Sequence, residues 1–173
     1  MKKIILFFML LTPFFFYACE NVEDVTGKVD LTINGENFSF PMATFAKSGD
    51  YTTITSTDVS NTVSIIFKGK TTGNYTLGIG TDLLDAILHI DSINNLNNKN
   101  VVIYYPTGQS DDAFVSLYGN LTISEYTSDK ITGTFSGKGI SKDVVLSGNI
   151  DSIVRANCKD YSGTFTAKAY GLK

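Results

Sequence analysis

The chain has one histidine, so any hydrolytic or metal chemistry that needs imidazole must use His89. It stands four residues after Asp85 and two before Asp91, a spacing that on one strand face supplies two or three metal ligands. A solvated polar face explains the same three residues, and no second histidine or cysteine pair completes a closed site. A Ser-His-Asp or Cys-His centre would also depend on His89, and the chain contains no Gly-x-Ser-x-Gly elbow. Cys158 has no neighbouring signature and reads as a small apolar residue. Lys68-Gly69-Lys70-Thr71 carries the end of a phosphate loop, but Ser64 replaces the first glycine and a strand pattern, not a helix, follows. Asp58, Asp111 and Asp112 lie in turns without the spaced oxygen ligands of a calcium loop. No metal or other cofactor is implied. Paired carboxylates for glycoside hydrolysis meet only in a fold, and nothing in the sequence nominates a pair.

What positions these residues begins at the N-terminus. Lys2 and Lys3 precede the apolar run Ile4 to Leu11, and Thr12-Pro13 breaks it, the pattern of a signal peptide; a transmembrane anchor is the alternative, because Phe14 to Ala18 continue the run. Phe16-Tyr17-Ala18-Cys19 resembles the lipobox of bacterial lipoproteins. The resemblance implies a signal peptide over residues 1–18, a diacylglycerol on Cys19 and a membrane anchor through that lipid, with acyl burial of about 0.8 kcal/mol per CH2. Residues 19–28 form an acidic tether, and residues 29–173 the folded domain. Glu20, Glu23 and Asp24 resemble the export signal of Bacteroidota surface lipoproteins, which implies an outer-membrane protein facing outward; a tether that must stay unfolded accounts for the acids equally. Asp91-Ser92-Ile93 and Asp151-Ser152-Ile153 match a short acceptor pattern for O-glycosylation in the same lineage, which makes Ser92 and Ser152 candidate sites.

Removing residues 1–18 takes away two lysines and no acids, lowering the formal charge from −3 to about −5. That balance offers no basic face to nucleic acid. With Cys19 acylated, Cys158 is the remaining thiol and no intramolecular disulfide is available, so packing must hold the fold.

Twelve phenylalanines and nine tyrosines without tryptophan, set among threonine, isoleucine and valine, favour strands. Val29, Leu31 and Ile33 alternate on one face, Asn34-Gly35 follows, and Phe38 and Phe40 alternate after it, the pattern of a hairpin with a type I′ turn. Further alternating runs occupy 43–47, 51–57, 62–68 (Val63, Ile65 and Phe67 inward), 74–79, 101–105, 113–118, 120–126, 131–137, 143–150 and 161–170. Residues 82–85 read as a turn of helix leading into a strand, although one helical stripe fits Leu83, Leu84, Ile87 and Leu88. The spacing predicts about ten strands in a single antiparallel all-β domain, a two-sheet sandwich or partly closed barrel, with Phe38, Phe40, Phe67, Leu77, Ile123, Phe135 and Phe165 inward.

Ile131-Thr-Gly-Thr-Phe-Ser and Tyr161-Ser-Gly-Thr-Phe-Thr repeat one pattern, in which a glycine leaves room opposite a large inward phenylalanine. Together with Gly119-Asn-Leu-Thr-Ile-Ser-Glu-Tyr, the first of these resembles the C-terminal strands of small Bacteroidota lipoproteins. The resemblance implies a lineage and an all-β fold, and no activity. Two functional classes follow. One is a non-catalytic binding or interaction module for a glycan, lipid or protein ligand. The other is a carboxylate-dependent hydrolase on the same scaffold.

Overall fold

Period-two alternation becomes ten strands in the computed structural model, which describes residues 26–78, 100–106, 113–141 and 158–170. They are β1 (Lys28–Ile33), β2 (Glu36–Pro41), β3 (Thr44–Ser48), β4 (Tyr51–Thr57), β5 (Asn61–Lys68), β6 (Gly73–Gly78), β7 (Val101–Pro106), β8 (Phe114–Tyr126), β9 (Lys130–Ser141) and β10 (Lys159–Ala169). The expected helix turn at 82–85 and the strand at 143–150 lie outside the described residues. Lys28 already opens β1, and Gly27 before it is buried, because a Cβ there would lie 2.0 Å from the Ala43 carbonyl oxygen and 2.7 Å from that of Thr166.

The ring β10-β3-β4-β5-β7-β8-β9 closes on itself, so the architecture is a seven-strand barrel with β1, β2 and β6 bonded outside it. Pairing is antiparallel except where β10 meets β3 in parallel, at Lys168↔Thr44 and Ala169↔Phe45. Each of two long strands serves both the ring and an extension along the same edge. β10 bonds β1 over Tyr161–Thr166 before reaching β3, and β8 bonds β7 at Phe114 and Val115 before turning to β6 over Tyr118–Ile123. The result is one six-strand layer, β2-β1-β10-β9-β8-β6, folded against β3-β4-β5-β7.

The first hairpin forms as its sequence predicts. Asn34 and Gly35 take φ of 49° and 86°, values of a type I′ turn, and set Ile33 opposite Glu36. Register then places every second side chain inward. Val29, Leu31, Phe40, Ile54, Val63, Ile65, Phe67, Leu77, Ile123, Phe135 and Phe165 are all buried in one cluster, with Phe38 packed half-buried against it. Burying side chains of this size contributes on the order of 1.5–3 kcal/mol each relative to exposure.

The two Gly-Thr-Phe segments pair with each other. Gly133 faces Phe165, Thr134 faces Thr164 and Phe135 faces Gly163. A Cβ on Gly163 would meet Phe135 Cζ at 2.3 Å, and one on Gly133 would meet Phe165 Cζ at 2.6 Å. Each ring therefore lies over the glycine of the neighbouring strand, and the two rings stack with centroids 6.4 Å apart. Tyr161 uses the same device: its hydroxyl sits where side chains at Gly119 and Gly137 would be. Gly119 lies within one continuous β8, just past a register shift between Ser116 and Tyr118. Ser116, two residues on from inward Phe114, also points inward, its Oγ accepting the Val102 N–H at 2.8 Å, and the bulge after it turns Tyr118 outward.

Among the described residues, every fully enclosed side-chain nitrogen or oxygen is hydrogen-bonded. Thr52 Oγ1 lies 2.8 Å from both the Gly69 carbonyl and Tyr126 Oη, and Ser56 Oγ donates to the Pro41 carbonyl. Asn100 ties β5 to β6, accepting the Lys68 N–H and donating to the Thr76 carbonyl. Ile66, Val101, Ile103, Val115 and Ile140, which alternate with inward residues, are buried as well, outside the main core cluster. Strands buried on both faces lose the strict alternation from which inward positions are read.

Candidate functional site

The alternation that fills the core leaves a second set of side chains on the outer face of the six-strand layer, and these line up across it. One row runs Ser39, Asp30, Thr164, Thr134, Thr122 and Asn74 from β2 to β6; the next runs Asn37, Thr32, Ser162, Ser136, Asn120 and Thr76. Neighbouring strands lie about 4.8 Å apart and the rows about 6.7 Å apart, so the face is a grid of hydroxyl and amide groups. Asp30 is the charged member of the two rows, and its carboxylate is ion-paired with Lys28 Nζ at 2.9 Å.

The grid is bonded at its ends and open in the middle. Thr32 Oγ1 donates to Asn37 Oδ1 at 2.7 Å, and Thr122 Oγ1 donates to Asn74 Oδ1 at 2.8 Å. Between them Thr134, Ser136, Ser162 and Thr164 are exposed, and their hydroxyls make no hydrogen bond with the described residues. They line a shallow trough of about 590 Å³ with Asp30, Thr32, Asn37 and Ser39. A hydroxyl donates one hydrogen bond and accepts two, so this quartet can serve a ligand of either polarity at each position. It holds no nucleophile paired with a base.

A second depression, of about 450 Å³, lies beside the grid around Tyr118, Lys138 and Asp160. Lys138 Nζ meets Asp160 Oδ1 at 2.6 Å, and that hydrogen bond raises the lysine pKa. Cys158, just before β10, is half-buried and its thiol pKa is raised by burial, which opposes thiolate formation and fits the apolar reading of this residue. Tyr161 beneath is pushed up to about 12 by burial, with a hydrogen bond to Ser116 acting the other way. A third depression, of about 470 Å³, opens at the end of the barrel where the β1–β2 and β4–β5 turns meet the ends of β7, β9 and β10.

Each of these three depressions is lined by one carboxylate among the described residues, Asp30, Asp160 and Glu36 in turn. Asp58 and Asp129 have pKa values below the usual range, through hydrogen bonds from the Ser60 N–H and the Thr127 hydroxyl in their own turns. No group of three metal-ligating side chains occurs among the described residues. Lys68 to Thr71 lead from β5 into strand β6, so the Gly-Lys-Thr segment has no helix to complete a phosphate site.

The residues singled out from sequence as carriers of chemistry or address fall elsewhere. Cys19, Glu20, Glu23, Asp24, His89 with Asp85 and Asp91, Ser92 and Ser152 lie outside the described residues. The hydroxyl grid was missed because each Thr, Ser or Asn is individually ordinary on a solvent-facing strand. The recurring signal is Thr-Gly-Thr-Phe-Ser against Ser-Gly-Thr-Phe-Thr, whose polar positions are as regular as the apolar ones. No protein-family model matches the chain, and no curated protein matches it.

Proposed function

We propose that the protein is a lipid-anchored envelope module that binds neutral glycans on the outer face of its six-strand layer, without catalysis. The observation that carries the reading is the open hydroxyl quartet of Thr134, Ser136, Ser162 and Thr164 in a grid whose one charge is already paired. An anionic ligand finds no free cation in the two rows, whose side chains are all polar, with Leu31, Phe38 and Phe135 reaching the trough only from the layer beneath. A sugar presents hydroxyls that both donate and accept, and an extended glycan repeats at a spacing close to that between strands. Hydroxyl contacts exchange protein–water for protein–sugar hydrogen bonds with a net gain of only about 0.5–1.5 kcal/mol each, so a single site binds weakly. Attachment through Cys19, as the lipobox resemblance implies, would place many copies on one surface. Such copies gain avidity toward a polymer without any new contact.

The hydrolase alternative needs two carboxylates across one groove with separated pKa values, and no observation among the described residues favours it. The binding reading is tested by titrating neutral oligosaccharides against the wild type and a Thr134→Val/Thr164→Val variant. Both positions are exposed, so the variant should fold with stability within about 0.5 kcal/mol of the parent. Wild-type binding that weakens at least tenfold in the variant supports the assignment; equal binding by both proteins refutes it.

A further inference from the structure

We infer that the depression at the barrel end is a second binding site, built for a short peptide zwitterion with apolar side chains. Its floor is aromatic. Phe38 and Tyr104 pack with centroids 4.9 Å apart, and Phe114 lies beside them against Tyr161 at 5.6 Å. Tyr104 is held by a relay along the wall of the depression: its hydroxyl donates to Asn61 Oδ1 at 3.0 Å, and Asn61 Nδ2 donates to Asp58 Oδ2 at 3.1 Å. The Asp58 carboxylate is fixed in turn by the Ser60 and Asn61 N–H groups at 2.7 and 2.6 Å. A ring held this way presents a fixed face to a ligand, which lowers the ordering cost of binding.

Ser141 is what distinguishes this depression from a gap between turns. It lies opposite Phe114 in register, projects inward with it and is only 3% exposed, yet its hydroxyl makes no hydrogen bond within the described residues. A hydroxyl that lines the depression without a protein partner is a ready contact for a peptide amide or carboxylate. Two charges of opposite sign complete the lining. Glu36 and Lys159 each lack an ion pair among the described residues, and they suit an ammonium and a carboxylate respectively. A volume of about 470 Å³ lies within the range of small-molecule sites and exceeds what one amino acid fills. One charge of each sign above an aromatic floor selects a zwitterion over a simple anion or cation.

The experiment is calorimetric titration of the protein with the dipeptide Leu-Phe and with its N-acetyl, C-amide form. Leu-Phe should bind, and the doubly blocked peptide should bind at least tenfold more weakly. Lys159→Gln should bring the two peptides to within about twofold of each other, and Ser141→Ala should weaken Leu-Phe while leaving the unfolding midpoint near that of the parent. Absence of Leu-Phe binding at millimolar concentration, or equal binding of both peptides by the wild type, overturns the inference. The Thr134→Val/Thr164→Val variant should bind Leu-Phe normally, so failure of the glycan reading and failure of this one are separately visible.

Discussion

Gly163→Ala is the substitution that most sharply probes how the six-strand layer is built. A methyl group at this position would lie 2.3 Å from Phe135 Cζ and 2.3 Å from the Asp30 carbonyl oxygen, where ordinary contact begins near 3.4 Å. The ring has little room to retreat, because it packs on Phe165 at 6.4 Å and on Tyr161 at 6.2 Å. The carbonyl belongs to β1, and moving it disturbs the β1–β10 ladder. Overpacking of this kind costs roughly 1–3 kcal/mol. Because two neighbours must yield by about 1 Å, the upper end applies, offset by the roughly 0.5–1 kcal/mol that alanine gains over glycine in an extended segment. The expected net loss is about 2 kcal/mol, or a fall of roughly 4–8 °C in Tm for a domain of this size. Equilibrium urea unfolding followed by circular dichroism measures it, with exposed Thr164→Ala as a control expected within about 0.5 kcal/mol of the parent. Phe135→Leu in the Gly163→Ala background should recover part of the loss, with a coupling of at least about 0.5 kcal/mol. Gly163→Ala at parental stability, or strict additivity of the pair, would refute the ring-over-glycine account.

Gly35→Ala isolates backbone strain from packing: φ is 86° and nothing lies within 4 Å of the added methyl, so a loss of about 1–2 kcal/mol in urea unfolding is expected from conformation alone. Tyr161 has a folded pKa of about 12 against an ordinary value near 10. Its contribution is therefore fully present below pH 10 and lost as pH rises toward 12, at about 1.4 kcal/mol per unit. Unfolding free energy should drop more steeply in the wild type than in Tyr161→Phe across that window, and parallel curves would show the hydroxyl is not desolvated. Cys19→Ser should release the chain from the membrane fraction and abolish incorporation of labelled palmitate; a variant that still sediments beside an unlabelled wild type contradicts the lipid anchor. Intact mass of the same processed protein tests Ser92 and Ser152 as candidate O-glycosylation sites: added glycan mass keeps them as candidates, and an unmodified polypeptide mass removes them.

The apolar alternation was legible because solvent faces one side of most strands: Val29, Leu31 and Ile33, or Val63, Ile65 and Phe67, have a single way to point inward. Asn34-Gly35 fixed its own hairpin, and the paired Gly-Thr-Phe segments announced a steric relation that register then realised. Closure of the ring was not legible. It depends on β10 and β8 each changing partner along one edge, and on a two-residue parallel contact with β3 that leaves no local mark. The inner and outer burial of Val101, Val102 and Ile103 was hidden for a related reason, since a continuous apolar run carries no phase. The hydroxyl grid needed register across six strands, and the barrel-end site needed Ser141 from β9 beside Glu36 from β2 and Lys159 from β10. Neither arrangement exists at the level of a motif.

The most direct test of glycan binding is a map of backbone amide shifts during titration with a neutral oligosaccharide. The account predicts the largest changes at Asp30, Thr32, Thr134, Ser136, Ser162 and Thr164, on three adjacent strands and falling away toward β3, β4 and β5. Changes confined to the barrel end around Tyr104 and Ser141, or no changes at saturating sugar, would contradict it.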